Sequence, residues 1–286
     1  MAFQEELERL YSPSQWNKRT TPDEVIRLHM KVALEGTQSA RQNCKCEMNT
    51  RYGDNQRTYD VYYPETVDDA TPVFIYIHGG YWQMLSKDYG GFMAETFTRA
   101  GCIVVGMGYP IAPGPLMSDI VDAIKVGIAA VRLQFSKQRI YICGHSAGAH
   151  LAAMVLSTSV SSGCRSKLAG AFLVSGVYDL VPLVNISVND PLHMTDDEAR
   201  QCSPQYHVAT FQTDCNVLVV VAENESPAFK QQSQTYTQSL QSSGVSCREL
   251  LEIEEVDHFN VAERLSDPHF ELTQTILSMM GMQTSL

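Results

Sequence analysis

The stretch from Ile140 to His150 constrains the fold of this chain more than any other. It is a short apolar run that breaks at two glycines and continues into helix-forming residues, Ile-Tyr-Ile-Cys-Gly-His-Ser-Ala-Gly-Ala-His. This order predicts a strand, a sharp turn and a helix, with Ser146 at the tip of the turn. A side chain at Gly144 or Gly148 would collide with neighbouring backbone where the turn is tightest. The pattern is typical of a nucleophilic serine on an elbow.

Length and charge exclude several classes of protein. The 286 residues, 44% of them hydrophobic, suit one α/β domain, and we predict a single domain over residues 1–286. The net charge of -11 and the lack of any Lys/Arg run argue against a nucleic-acid or anionic-membrane partner. No apolar run is long enough to predict a membrane-spanning helix.

Cysteine usage and the first residues predict a cytosolic protein. The eight cysteines show no C-x-x-C spacing, which favours reduced thiols. The start of the sequence is acidic, whereas a signal peptide would be basic and then apolar, so we expect no secretory leader.

Apolar patterning predicts an α/β fold with a mostly parallel central sheet. The first part predicts helices at Phe3–Tyr11 and Thr21–Gln42, then a hairpin of Cys44–Arg51 and Arg57–Tyr63 with its turn at Tyr52–Asn55. From Pro72 onward, predicted strands lie at 73–77, 102–107, 169–174, 217–222 and 248–253, with the elbow strand starting at Ile140 and breaking at Gly144. Predicted helices lie at 89–100, 116–135, 149–158, 228–240 and after Phe259. Continuous apolar strands that alternate with helices indicate a sheet covered on both faces.

The segment of about residues 180–211 interrupts this alternation. It is rich in Asp, His, Asn and Pro and is too long for an ordinary connection. Apolar residues such as Leu183 and Tyr206 argue against a disordered loop. We therefore predict a small insertion over the active-site edge of the sheet.

A glycine loop after the first buried strand predicts an oxyanion hole. His78-Gly79-Gly80-Tyr81-Trp82 follows residues 73–77 directly, and its bare backbone would let N–H groups approach a substrate oxygen. The candidate residues are Gly79, Gly80 and Tyr81, with the Ala147 N–H completing the hole. The alternative is a turn that only links a strand to a helix.

The general base and its orienting acid are expected in late loops, because the chain order in such hydrolases is Ser, acid, His. His258 follows the last predicted strand, whereas His145 and His150 flank the serine on or near its helix, where packing roles are favoured. Glu225 lies just before a Ser-Pro helix start and is the preferred acid. Glu223 remains a rival, and Asp257 is a weaker third.

No motif predicts a cofactor. The chain has no G-x-G-x-x-G or P-loop pattern, and His145 and His150 have no further ligand at zinc spacing.

Four segments together resemble the kynurenine formamidases (arylformamidases) of the esterase/lipase α/β-hydrolases. They are His78–Gln83, Gly144–His150, Ser175–Leu180 and Glu225–Phe229, and the similarity covers most of the chain, including Tyr11-Ser12-Pro13. The resemblance implies an α/β-hydrolase fold and cofactor-free hydrolysis of N-formyl-L-kynurenine to L-kynurenine and formate, a step of tryptophan breakdown. Carried over, the triad is Ser146, Glu225 and His258, although the family members compared have Asp where this chain has Glu225.

The substrate contacts are the least constrained expectation. Tyr81 and Trp82 could crowd the acyl pocket so that it selects formyl, and Trp82 could stack on the aryl ring; a buried core role for Trp82 is the alternative. Tyr178 and Asn260 are further candidates to line the pocket, and a homodimer is possible in principle. Two other functions remain open: a general short-acyl carboxylesterase, and an inactive hydrolase fold used as a receptor.

Overall fold

The computed structural model describes residues 2–53, 57–157, 168–210 and 215–282. Its centre is an eight-stranded sheet in the order β1-β2-β4-β3-β5-β6-β7-β8. The strands are β1 Lys45–Tyr52, β2 Arg57–Tyr63, β3 Val73–Ile77, β4 Ile103–Met107, β5 Ile140–His145, β6 Leu168–Val174, β7 Asn216–Asn224 and β8 Leu251–Asp257. β2 pairs antiparallel with β1 and β4, and the other neighbours are parallel.

Helices cover both faces of the sheet. They are α1 Ala2–Leu10, α2 Pro22–Asn43, α3 Ala94–Arg99, α4 Met117–Gln134, α5 Ala147–Ser157, α6 Asp196–Gln201, α7 Pro227–Ser242, α8 Asn260–Glu263 and α9 Glu271–Met279. Alternate residues of the central strand β3 enter different cores: Val73, Ile75 and Ile77 join one, and Phe74 and Tyr76 the other. None of the helices in the described part of the chain has the length and apolarity needed to cross a bilayer.

Most predicted elements are confirmed within a few residues, and the predicted mostly parallel sheet is confirmed. The largest differences are in the helix predicted at 89–100, which is observed as α3 at Ala94–Arg99, and in the last strand, which was predicted at 248–253 and is observed at Leu251–Asp257. This strand lies at the sheet edge and carries exposed charged residues such as Glu254 and Glu255, so its apolar signal is weak. The predicted turn residues Asp54 and Asn55, and Thr158 of a predicted helix, lie outside the described residues.

The predicted insertion contains α6 and several 3-10 turns between residues 181 and 210. Side chains tie its ends to each other and to the body. Ser203 Oγ accepts a hydrogen bond from Leu180 N and donates one to Ala199 O, and Gln232 of α7 accepts from Tyr178 N just before the insertion. The segment is thus built from short packed turns, and its last predicted residue, Phe211, lies outside the described residues.

Candidate active site

Ser146 lies between β5 and α5, with a backbone φ of 55°. Its N–H donates to Val174 O at 2.9 Å on the neighbouring strand, which fixes the turn against the sheet. A Cβ on Gly144 would lie 2.1 Å from Gly148 O, and one on Gly148 would lie 2.0 Å from Ile77 O. Only glycine fits at these positions, which is the physical reason predicted from the sequence. The strained turn holds the Ser146 side chain at the carboxyl end of β5.

A buried histidine–glutamate pair follows the last two strands. His258 Nδ1 lies 2.7 Å from Glu225 Oε2, and both residues are at least 95% buried. The other glutamate oxygen, Oε1, accepts the Ser226 N–H at 2.9 Å. No Lys or Arg among the described residues forms an ion pair with Glu225. The carboxylate therefore fixes the His258 tautomer with the proton on Nδ1, and no described cation shares it.

The two rival acids are held elsewhere. Glu223 is exposed at the end of β7, where its carboxylate accepts the Glu255 N–H at 2.8 Å. The Asp257 carboxylate accepts Arg19 Nε at 2.6 Å and Arg19 Nη2 at 3.1 Å. Burial would raise the pKa of Asp257, but the bonds from Arg19 and from local backbone hold it below its ordinary value. Of the three candidates, Glu225 is the one that the structure brings to His258.

The glycine loop after β3 lies against the nucleophile. Gly80 has a φ of +100°, and a Cβ there would approach Met84 O to 2.5 Å. A Cβ on Gly79 would lie 3.1 Å from Ser146 Cβ, so the loop backbone passes close to the serine. The backbone N–H groups of Gly80, Tyr81 and Ala147 have no acceptor among the described residues. The structure therefore leaves donors free on both sides of Ser146, as an oxyanion hole requires.

Ser146 and His258 open on one cavity of about 230 Å³. Its wall comes from the glycine loop, the elbow, the His258 loop, α2, the segment after α1 and one insertion residue: Tyr11, Ser12, Pro13, Ser14, Ile26, His29, Met30, Gly80, Tyr81, Met84, Leu85, His145, Ser146, Val188, His258 and Phe259. The wall contains no Asp, Glu, Lys or Arg. The predicted insertion thus contributes Val188, whereas the N-terminal segment forms much more of the wall than the sequence indicated.

The N-terminal wall is fastened to the catalytic loops. The Tyr81 hydroxyl donates to Tyr11 O at 2.6 Å, and the Tyr11 hydroxyl accepts from Gln232 Nε2 at 2.8 Å. The Ser226 hydroxyl, next to Glu225, donates to Leu10 O. These contacts join residues more than 65 positions apart in the chain, so no local pattern could have placed the segment at the site.

The structure places Trp82, a predicted substrate contact, on the core side of the glycine loop, which was the alternative. Its side chain is fully buried and does not line the cavity. The indole Nε1–H donates to His150 Nδ1 at 3.1 Å, and the two rings meet edge-on at 5.0 Å. Trp82 fills the core behind the glycine loop, and its one polar atom is satisfied there.

Tyr178 and Asn260, predicted candidates to line the pocket, also lie outside the cavity wall. Tyr178 is fully buried and stacks on Tyr236 at a centroid distance of 4.3 Å. Asn260 begins α8, and its Oδ1 accepts the Asp257 N–H at 2.7 Å. The Tyr178 side chain packs in the core, and the Asn260 side chain stabilises a turn.

Three further histidines near the site are buried without a carboxylate partner. Burial lowers the pKa of His78 and of His150 to about 4. Burial, followed by the nearby His258 and His29 rings, lowers the pKa of His145 well below its ordinary value. The neutral His145 donates from Nε2 to His258 O at 2.6 Å and so braces the loop of the paired histidine. Within the described ranges, no cluster of His, Cys, Asp and Glu is arranged to hold a metal ion.

A second histidine–glutamate pair, which was not among the predicted site residues, lies at the same cavity. His29 Nδ1 is 3.0 Å from Glu263 Oε1, and the ring lines the cavity. Arg19 contacts both Glu263 oxygens, at 3.2 and 3.5 Å, and also holds Asp257. The sequence does contain one signal, because His29 stands among the buried positions of α2: Val25, His29, Ala33, Thr37 and Ala40.

The chain matches known families over most of its length. The model of a family described as BD-FAE matches residues 59–240. A kynurenine formamidase of Salmo salar is 43% identical, with 97% of this chain and 96% of that protein covered. A kynurenine formamidase of Danio rerio is 42% identical with the same coverage.

A solved structure confirms the predicted α/β-hydrolase fold. EstE1, a thermophilic and thermostable carboxylesterase cloned from a metagenomic library, superimposes with a TM-score of 0.71. The match covers 93% of this chain and 98% of EstE1 at 17% identity. At that identity the likeness is one of fold.

Proposed function

Because the chain belongs to the kynurenine formamidase family, we propose that it hydrolyses N-formyl-L-kynurenine to L-kynurenine and formate. The observation that carries this proposal is the His258–Glu225 pair opening on the same cavity as Ser146. A serine hydroxyl needs a base, an orienting acid and oxyanion donors to act at neutral pH, and groups of each kind meet here. The uncharged cavity wall suits an aryl substrate.

In the proposed acylation step, His258 Nε2 takes the Ser146 hydroxyl proton as Oγ bonds to the formyl carbon. The formyl oxygen gains the negative charge and accepts hydrogen bonds from the N–H groups of the hole. The carbon–nitrogen bond then breaks, the aniline nitrogen takes the proton from His258, and kynurenine leaves. Glu225 stabilises the imidazolium formed in between, because its charge is not shared with a cation.

The second half of the reaction releases formate. A water molecule gives a proton to His258 Nε2 and attacks the formyl ester on Ser146. The bond between the formyl carbon and Oγ breaks, and His258 returns the proton to Oγ. No cofactor takes part in these steps, because each is a proton transfer or an acyl transfer.

Tyr81 is the residue that we propose for acyl selection. It lines the cavity next to the nucleophile, and its hydroxyl is tied to Tyr11 O. A phenol ring fixed in this way narrows the space beside Ser146. Formyl is the smallest acyl group, so a narrow space favours it over acetyl.

Kinetics with two substrates test the proposal. The rate of N-formyl-L-kynurenine loss is measured beside p-nitrophenyl acetate hydrolysis, for the wild type and Ser146→Ala. We expect much higher kcat/KM for the formamide and the loss of both activities in Ser146→Ala. Cleavage of the ester alone would identify a general carboxylesterase, and activity retained in Ser146→Ala would remove Ser146 as nucleophile.

We also propose a cytosolic location, and a homodimer is the candidate assembly. The seven cysteines in the described residues form no disulfide, which is usual for cytosolic proteins. Cell fractionation tests the location, and light scattering of the purified protein gives its oligomeric state.

A further inference from the structure

His29 is a cavity residue that the proposed chemistry does not use. It lies on α2, is 7% exposed and lines the same cavity as Ser146. Its ring is 5.7 Å from that of His145, which in turn is 4.9 Å from that of His258. His29 is therefore separated from the paired base by one imidazole ring. A ligand that reaches from Ser146 along this cavity can therefore place a second group near His29.

Glu263 fixes the orientation of the His29 ring. The Glu263 carboxylate contacts Arg19 and accepts the His29 Nδ1–H. In the neutral ring, Nε2 then carries a lone pair. No hydrogen bond to Nε2 is formed by any described residue. His29 Nε2 is therefore a hydrogen-bond acceptor of fixed orientation at the cavity, and no described residue donates to it.

The charges behind His29 favour a cationic ligand group. Two carboxylates, Glu263 and Asp257, share the single guanidinium of Arg19, which leaves a net negative charge at the back of the ring. Glu225 adds a further negative charge across the cavity. The cavity wall itself contains no Lys or Arg to attract an anion and no Asp or Glu to bind a cation directly. His29 is thus the wall residue that can accept a hydrogen bond from a cationic ligand group, and the carboxylates behind it favour that charge.

We propose that His29 Nε2 accepts a hydrogen bond from the α-ammonium group of the substrate and thereby selects aryl formamides that carry an amino-acid side chain. The inference rests on the proposed function for the identity of the substrate. N-formyl-L-kynurenine carries its ammonium several bonds away from the formamide, at the far end of the side chain. Ser146 would act at one end of the substrate while His29 holds the other.

The test compares ligands with and without the amine. For each variant, kcat/KM is measured for N-formyl-L-kynurenine and for its des-amino analogue, 4-(2-formamidophenyl)-4-oxobutanoic acid. In His29→Leu, the preference for the amine-bearing substrate should fall about 10- to 100-fold, the range expected for one hydrogen bond to a charged group. His29→Gln retains an acceptor and should recover part of the preference. Ile26→Leu changes a neighbouring wall residue that has no hydrogen-bond acceptor, and this variant should keep the preference.

A second readout separates this inference from the proposed reaction. L-kynurenine and its des-amino analogue are tested as competitive inhibitors of p-nitrophenyl acetate hydrolysis, which does not require formamide cleavage. His29→Leu should weaken inhibition by L-kynurenine about 10-fold or more relative to the des-amino compound. Equal changes for both compounds, or none, would overturn the role of His29. A wild type that binds L-kynurenine in this way but leaves formylkynurenine intact would overturn the proposed reaction alone.

Discussion

Two histidine–glutamate pairs face one cavity, and they differ in what holds the glutamate. In the His258–Glu225 pair, the carboxylate contacts the ring and a backbone N–H, and no cation neutralises it among the described residues. In the His29–Glu263 pair, the carboxylate also contacts Arg19 at 3.2 Å. An unshared carboxylate can stabilise a transient imidazolium, whereas a shared one mainly fixes the orientation of the ring.

The positions of the two pairs fit this division. Glu225 and His258 lie in loops at the carboxyl ends of β7 and β8, beside the elbow serine. His29 and Glu263 lie on helices α2 and α8, which meet behind the cavity. The two pairs therefore have different roles: Glu225 stabilises the charged form of a base, and Glu263 orients a ring. The presence or absence of a cation beside each glutamate indicates its role.

The largest expected effect comes from removing the unshared charge. Glu225→Gln should lower kcat for N-formyl-L-kynurenine about 10³- to 10⁴-fold, because the amide can accept the Nδ1–H but cannot stabilise the imidazolium. The isosteric change should leave the thermal midpoint within a few degrees. Steady-state kinetics measures the loss. Glu223→Gln is the matched control, two residues away and exposed, and should stay within about twofold of the wild type; a larger loss in this control would reverse the assignment.

The second pair should show a smaller and different defect. Glu263→Gln keeps an acceptor for His29 but removes the charge that binds Arg19 and fixes the ring. We expect a fall of about 10-fold in preference for the amine-bearing substrate over its des-amino analogue, seen mainly in KM. A loss in kcat as large as that of Glu225→Gln would show that both pairs act in the chemical step.

The buried histidines that have no carboxylate partner among the described residues should make the stability of the fold depend on pH. His78 and His150 have pKa values of about 4 when folded, against 6.5 as the ordinary value. The unfolded chain therefore binds more protons between pH 4 and 6.5, so the stability these residues contribute is complete above pH 6.5 and is lost as the pH falls toward 4. Each should add up to about 1.4 kcal/mol per pH unit to the slope of the unfolding free energy. Urea unfolding from pH 7 to 4 measures the slope, and His78→Gln should reduce it; an unchanged slope would contradict the burial account.

The smallest expected effect on catalysis is that of Trp82→Phe. The variant leaves His150 Nδ1 without its donor and should destabilise the fold by about 1–3 kcal/mol. Because Trp82 does not line the cavity, the preference for formyl over acetyl anilides should be unchanged. Thermal unfolding and substrate competition measure the two quantities. A changed preference between formyl and acetyl anilides would show that Trp82 shapes the acyl pocket.

The parts of the site that could be predicted are those with a local signal. Ser146, the glycine loop, Glu225 and His258 each come at or just after the end of a strand. Parallel strands bring their carboxyl ends to one edge of the sheet, so these groups could be predicted to lie together. No local sequence pattern indicates whether an aromatic side chain in this loop packs in the core or lines the cavity. Trp82 follows a glycine turn with a φ of 58° and points into the core, whereas its neighbour Tyr81 lines the cavity.

Long-range packing accounts for what the sequence did not predict. The wall built by Tyr11 and Ser12 depends on contacts with Tyr81 and Gln232, far along the chain. His29 was hidden for the same reason, because its partner Glu263 is 234 residues away. A histidine in the buried stripe of an amphipathic helix signals a polar partner, but the sequence does not say which residue supplies it.

The most direct measurement of the division between the two pairs is the rate at which a fluorophosphonate labels Ser146 in Glu225→Gln and in Glu263→Gln, with the modified peptide identified by mass spectrometry. Labelling reports activation of the serine and does not require recognition of an amine. If the His258–Glu225 pair activates Ser146, Glu225→Gln should slow labelling at least 100-fold more than Glu263→Gln does. Equal rates in the two variants, or a slower rate in Glu263→Gln, would contradict the account.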